Sequence, residues 1–348
     1  MPHQEPHHGQ PLRMRKRGEG GDEIGVMFHD LRITAPQHLP QAAPATPAET
    51  ATRRLPVCHA MLAWPRTEED PMSRIATRTI GEADVTILTD GSTDFGAALF
   101  PATRPEHITA LLERQGIDKI ATNFNAVLIR NGGRTVLCDA GPRNLFGPTC
   151  GFLPEAMAEA GVAPEDVDVL FATHLHPDHI AGMISAEGAA VFPRAELVVR
   201  RDEHGFWSDE SQTAPLPDPI PGWAQLARAV LAAYGDRLRL IGPEDAIAPG
   251  LTALPLDGHT PGHGGWRLSS GRAQLIHGGD IIHAPALQAI DPEIGIAFDM
   301  DMDRARVTRK RLLDELATDG ALFTGGHYLR PAFHVAVRDG SGYRLERP

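Results

Sequence analysis

The sequence predicts a mixed fold of α/β or α+β class, and three observations point there. Short apolar runs of strand type alternate with stretches of helical periodicity. Several of those runs end in a histidine or aspartate next to glycine, as at Asp139-Ala140-Gly141, Gly279-Asp280 and Gly326-His327. Hydrophobic residues make up 42% of the 348, enough to bury a sizeable core.

Composition removes several function classes. A net charge of −12 argues against nucleic acid, which needs a basic face. No stretch reaches about 18 consecutive apolar residues, so no membrane partner is expected. Cys58, Cys138 and Cys150 form no disulfide framework. A reducing compartment fits that usage. The first residues lack the apolar segment of a signal peptide, and a cytoplasmic location is expected. Residues 1–71 are rich in Pro, His, Gln, Ala and Thr with weak periodicity, and a disordered N-terminal extension is expected there. The globular domain is expected over residues 72–348, and Met72 could be a translation start.

In order, Val85 to Thr89 reads as a strand that stops at a turn, Asp90-Gly91. Residues 106–115 can form a short helix. Asn125 to Arg130 and Arg134 to Asp139 form a hairpin around Asn131-Gly132-Gly133. Leu153 to Ala160 is helical, with Gly161 as its C-terminal cap. An apolar run from Val167 to Ala172 stops at Thr173, and Ala195 to Arg200 gives another strand. Ser208 to Gly222 is Pro-rich and reads as a loop over the site. Trp223 to Tyr234 is helical and ends at Gly235. Strands follow at Leu251 to Leu256, Gly264 to Leu268, Ala273 to His277 and Ala321 to Thr324, with an amphipathic helix from Arg304 to Ala317.

The densest chemistry lies after the Val167–Ala172 run. His174, His176, Asp178 and His179 fall within six positions. Side chains of a strand alternate, so His174 and His176 point to one side at its end. Pro177 donates no N–H and ends the pairing, and Asp178 is placed to open a helix. Two imidazoles, then a carboxylate and an imidazole one turn on, can hold two adjacent divalent ions.

This His-x-His-x-Asp-His pattern resembles the hallmark of the metallo-β-lactamase superfamily. The resemblance implies an αββα sandwich. It also implies further ligands in Gly258-His259-Thr260-Pro261-Gly262-His263, Gly279-Asp280 and Gly326-His327. Carried over residue by residue, it gives one ion to His174, His176 and His263. The other takes Asp178, His179 and His327, and Asp280 touches both. His259 is then a neighbour that stabilises its loop, and Asp139 supports the metal loops from behind. The cofactors expected are two divalent ions, Zn²⁺ first, with Fe, Mn or Co also suited to this donor set. Such ions, roughly 3.5–4 Å apart, lower the pKa of a shared water toward about 7, giving a nucleophile without Ser or Cys. Asp280 and Asp178 are the candidate catalytic carboxylates; Asp280 can orient the nucleophile and return its proton to the leaving group.

A closer resemblance covers residues 80–348. It rests on Leu145-Phe146-Gly147-Pro148-Thr149, Glu203-His204-Gly205-Phe206-Trp207, Gly279 to His283 with Ala284 to Gln288, and Gly342 to Leu345. These are similar to the branch of methyl parathion hydrolase and lactonase-like phosphotriesterases. That branch implies organophosphate, ester or lactone hydrolysis, with quorum quenching as a biological role. Phe206 and Trp207 become candidate walls of an apolar substrate pocket. His283 stands where simple acyl-homoserine lactonases place a Tyr, and is a candidate substrate contact. The bridging carboxylate stands where one metallo class of true β-lactamases has Cys, which disfavours antibiotic hydrolysis. A mono-iron persulfide dioxygenase and a glyoxalase II-like thioester hydrolase share the motif and stand as alternatives. The expected partner is a small-molecule substrate, with a homodimer left open.

Overall fold

The computed structural model describes residues 73–330 and 332–348. The expected extension over 1–71, and the boundary at Met72, lie outside the described residues. Seven strands form the larger sheet in chain order: Ile75–Ile80 (β1), Ala83–Phe95 (β2), Ile120–Asn131 (β3), Arg134–Cys138 (β4), Val169–Phe171 (β5), Glu196–Arg200 (β6) and Leu238–Ile241 (β7). The first four pair antiparallel and the last four parallel.

A smaller sheet contains Ala246–Ala248 (β8), Leu251–Pro255 (β9), Gly264–Ser270 (β10), Ala273–His277 (β11) and Phe323–Thr324 (β12), ordered β12-β11-β10-β9-β8. A separate hairpin pairs Val335–Asp339 (β13) with Gly342–Glu346 (β14).

Side-chain alternation explains why the large sheet is buried on both faces. Val127, Ile129, Val136, Phe171 and Val198 point to one side and pack with Leu251, Ala253, Trp266, Leu268 and Leu275 of the second sheet. Ala126, Leu128, Leu137, Leu170, Leu197 and Val199 point to the other side. There they meet Ala156 and Met157 of helix Leu153–Glu159 and Ala227 and Val230 of helix Ile220–Tyr234. Helix Met302–Asp319 packs Leu312, Leu313 and Leu316 into the same cluster as the second sheet. The result is an αββα sandwich.

The short helix and the hairpin fall where the sequence places them, at Pro105–Arg114 and around Asn131 and Arg134. The expected turn at Asp90-Gly91 is not a turn. β2 runs straight through it to Phe95, and the register against β3 shifts between Thr89 and Gly91. Asp90 is the extra residue of a β-bulge. Its carboxylate accepts from Gly151 N at 3.0 Å and Leu153 N at 2.6 Å, at the start of helix Leu153–Glu159. Gly91 is required because a Cβ there would lie 2.2 Å from Thr149 O. The expected loop Ser208–Gly222 contains helix Glu210–Thr213, and the next helix already begins at Ile220.

No helix among the described residues is long and apolar enough to cross a membrane.

Candidate metal centre

Five strand ends deliver the polar residues to one edge of the sandwich. β4 leads to Asp139, β5 to His174, His176, Asp178 and His179, β9 to His259, β11 to Asp280 and β12 to His327. Nearly all are buried: His174, His259 and His263 are fully so, and His176, His179, Asp280 and His327 nearly so. Two adjacent groups form. His174, His176 and His259 present nitrogens within 4.8 Å of one another, as do Asp178, His179, Asp280 and His327 with their donor atoms. Asp280 Oδ2 lies between the groups. It is 2.8 Å from His327 Nε2, 3.0 Å from His179 Nε2, 3.7 Å from His259 Nε2 and 3.8 Å from His174 Nε2.

This geometry corrects the choice made within Gly258–His263. His263 turns away from the cluster. Its Nδ1 meets Leu256 O at 2.8 Å, and its Nε2 accepts from Asp280 N at 2.9 Å. Both ring nitrogens are used by backbone, so His263 holds the strand end that carries Asp280. His259 takes the place expected for His263, with Nε2 at 3.0 Å from His176 Nδ1 and 3.2 Å from His174 Nε2.

The protonation of the cluster follows from its outer partners. The His327 Nδ1 meets the carbonyl of Asn123 at 2.9 Å, which can only accept. The His179 Nδ1 meets Asp139 Oδ2 at 2.9 Å, and the His259 Nδ1 meets Asp299 Oδ1 at 3.0 Å, both carboxylate acceptors. Thr173 Oγ1 donates to Asp139 Oδ2, so it accepts from His174 Nδ1 at 3.1 Å. His174 and His259 thus carry the proton outward and turn a bare Nε2 inward, whereas His179 and His327 turn Nε2 to the Asp280 carboxylate, which raises their pKa against the effect of burial. Asp280 Oδ1 is buried with no hydrogen-bond partner. Convergent lone pairs and a buried carboxylate with one unpartnered oxygen fit divalent cations. Desolvation by burial holds His174, His176 and His259 well below the ordinary imidazole pKa, keeping them neutral donors. Burial alone would raise the Asp280 carboxyl, but the surrounding His179, His327 and His283 imidazoles carry it well below the usual range.

Asp139 sits where its expected supporting role requires, behind His179 and bonded to Thr173 N at 2.9 Å. The fold adds three further positioning groups. Asp299, from the irregular segment before helix Met302–Asp319, orients His259. Its other oxygen lies 3.4 Å from Arg309 Nη2. Arg309 is itself fully buried and donates to the carbonyls of Ile281 and Ile294 at 2.6 and 2.7 Å. Glu203 is fully buried and ties the two histidine loops together. It accepts from Leu175 N at 2.9 Å, Thr260 Oγ1 at 2.6 Å, Gly262 N at 3.0 Å and Trp207 Nε1 at 2.7 Å. The signal for Glu203 was present, four residues before Trp207 on one helical face. Gly326 allows close approach at the centre, since a Cβ there would lie 2.6 Å from Asp280 Oδ1.

A narrow pocket of about 20 Å³ reaches the cluster at His176, Asp178 and Asp280. Phe95, Phe124, Phe146, Trp223 and Phe298 surround it, with His283 beside them. His283 Nε2 is 3.2 Å from Asp280 Oδ2. Phe206 and Trp207 do not line this pocket. Trp207 is fully buried, bonded to Glu203, with its ring 5.5 Å from that of His176. Phe206 packs on Trp207 at 5.1 Å. Trp223, from the helix after the expected loop, takes the wall position instead.

Comparison with known proteins agrees with this fold. Residues 122–327 match the family described as the metallo-beta-lactamase superfamily. Among solved structures, the hydrolase AbOPH of the beta lactamase superfamily shares 28% identity at a TM-score of 0.75, over 79% of this chain and 98% of that one. AidC, described as a dizinc quorum-quenching lactonase, shares the fold at a TM-score of 0.73 and 24% identity, over 80% of this chain and 99% of that one. A ribonuclease Z of Mycobacterium sp. strain KMS is 33% identical over 133 residues, 37% of this chain and 36% of its own length. The chain therefore spans about a third of the length of the curated relatives it matches. With the family matched over more than half of its residues, the chain belongs to the metallo-beta-lactamase superfamily.

Proposed function

We propose that the protein is a dinuclear metal hydrolase acting on a small neutral lactone or ester, with phosphotriesters as further substrates. The observation that carries this reading is the position of Asp280 Oδ2 between two groups of donor atoms. His174, His176 and His259 would hold one ion, and Asp178, His179 and His327 the other, with Asp280 shared. Bound there, the ions supply a water of lowered pKa and a Lewis acid for the carbonyl or phosphoryl oxygen.

The chain's own residues do the rest. Asp139, Asp299 and the carbonyl of Asn123 fix the ring orientations of His179, His259 and His327. The five aromatic rings around the pocket give its entrance an apolar wall beside Asp178 and Asp280; about 20 Å³ admits little more than one water, so an acyl or aryl group enters only if these rings move apart. Asp280, in contact with both groups, carries a proton to the leaving oxygen. His283 Nε2 at the same carboxylate can donate a hydrogen bond to a substrate oxygen. The aromatic lining without Lys or Arg, and the net charge of −12, favour a neutral substrate over a polyanion such as the RNA that the name ribonuclease Z suggests. The description of AidC as a lactonase supports the lactone reading. The closer likeness to the methyl parathion hydrolase branch, the quorum-quenching role and the cytoplasmic location belong to this proposal.

The test is a panel of lactones, aryl esters, thioesters, phosphotriesters and a tRNA precursor, assayed with metal-loaded and chelator-stripped protein. Hydrolysis of neutral lactones or esters, lost on stripping, is expected. Turnover confined to tRNA, or oxygen uptake on a persulfide, would overturn it.

A further inference from the structure

His283 stands over the middle of the cluster. Its ring stacks on that of His327, with centroids 4.8 Å apart and 20° between the planes, and lies 4.7 Å from the ring of His259. Its Nε2 is 3.2 Å from Asp280 Oδ2. It thus meets one histidine of each donor group and the carboxylate between them.

Side chains hold both backbone groups of His283. Thr122 Oγ1 lies 3.4 Å from His283 O and 3.3 Å from His327 O, so one hydroxyl proton is shared between two carbonyls. Gln288 makes the shorter bonds. Its Oε1 accepts from His283 N at 2.7 Å and from Ala284 N at 3.0 Å, and its Nε2 donates to Ile294 O at 3.1 Å. The two N–H groups can only donate, which fixes the amide orientation. Gln288 is fully buried at the end of the short helix Pro285–Gln288. Capping the start of that helix needs only the oxygen. The nitrogen adds a second anchor, on a carbonyl that Arg309 Nη1 also holds at 2.7 Å. An amide fastened at both ends cannot swing, and the His283 peptide cannot leave it without exposing two unpaired donors.

We propose that Gln288 is a positioning residue of the hydrolytic site: it fixes the His283 peptide so that the ring keeps Nε2 at Asp280, where a substrate oxygen would meet it. This rests on the hydrolytic reading above. None of the hydrogen bonds of the Gln288 side chain reaches a proposed metal ligand, so its effect passes through His283.

The experiment is a double-mutant cycle on the metal-loaded, full-length protein, with the substrate of the panel that it hydrolyses fastest. Gln288→Leu removes the acceptor at similar volume. It should lower kcat at least about tenfold, with KM within about twofold of wild type and bound metal unchanged, because misplacement at the reacting atoms acts on rate. Gln288→Glu keeps an acceptor for both N–H groups and should restore kcat to within about threefold. His283→Ala should itself lower kcat, and adding Gln288→Leu to it should change kcat by no more than about twofold, since the pair acts as one unit. A role confined to capping the helix would lower the melting temperature and leave the two kinetic losses independent. Independent losses, a normal kcat in Gln288→Leu or no effect of His283→Ala would overturn the proposal while the wild type remains an active hydrolase. Wild type inactive on the whole panel would overturn the hydrolytic reading and this proposal with it. If Gln288→Leu does not fold, Gln288→Asn, whose amide is one methylene too short to reach, takes its place in the cycle.

Discussion

His259 Nε2 lies 3.2 Å from His174 Nε2, and both nitrogens face each other without a proton between them. Asp299 and Thr173 hold the other nitrogen of each ring as a donor, so two lone pairs meet in a fully buried space. Such an approach is repulsive unless a cation lies between the rings. It favours His259 over His263 as a ligand of the proposed metal pair.

The two histidines should therefore fail differently. His259→Ala should lose about half of the bound metal and reduce kcat/KM by at least about 100-fold. His263→Leu should keep its metal stoichiometry but lose about 1–3 kcal/mol of stability, because Leu256 O and Asp280 N lose their partner. Metal analysis and thermal melting of both variants check this. Full metal in His259→Ala would return the ligand role to His263.

Asp299 holds His259 Nδ1, and under the proposed function it would act on the metal through that ring. Asp299→Asn should weaken metal binding by about 10–100-fold, measured by chelator competition. A fold-only role would lower the melting temperature and leave the competition curve unmoved.

Trp207 and Trp223 divide packing from substrate contact. Trp207→Ala should cost about 3–5 kcal/mol, the range for emptying a buried aromatic site. It also removes one donor from Glu203. Trp223→Ala should raise KM for bulky apolar substrates more than for small ones, since its ring lines the pocket. Equal KM shifts across the panel would remove Trp223 from the substrate wall.

Asp90 gives a pH dependence away from the metal. Burial pushes its carboxyl up from 3.8 to about 6, against the opposing pull of two backbone N–H donors. A raised folded-state pKa means that the native state binds the proton more tightly than the unfolded chain does. The stabilisation is complete below pH 3.8 and lost as pH rises through about 6. Wild type should gain up to about 3 kcal/mol relative to Asp90→Asn between pH 7 and pH 4, from about two pKa units. Denaturant titrations at the two pH values measure it, and a pH-independent difference would contradict the burial argument.

Much of the architecture was legible because strand periodicity and ligand spacing act over a few residues. The Val167–Ala172 run, the Gly132-Gly133 hairpin and the clustering of His174, His176, Asp178 and His179 were all visible in this way. The bulge at Asp90 was not, because Asp-Gly is equally a turn signal, and only pairing with β3 decides between them. The choice between His259 and His263 was hidden for a similar reason. Both lie in one tight loop, and the direction of each ring depends on Asp299, Leu256 and Asp280. Asp299 lies 40 residues beyond His259 in a segment without regular structure, so no local pattern links them. Trp207 follows Phe206 on a helix whose burial is set by Glu203 and the sheet below it. Sequence alone could not tell a core indole from a pocket wall.

The central claim is that two cations occupy adjacent nests sharing Asp280. Elemental analysis of the purified protein, with Asp280→Asn alongside, tests it most directly. Close to two equivalents of transition metal per wild-type chain, falling clearly below two in Asp280→Asn together with the hydrolytic rate, is the predicted result. A fully active wild-type enzyme with a single metal, or an Asp280→Asn variant with two metals and an undiminished rate, would contradict it.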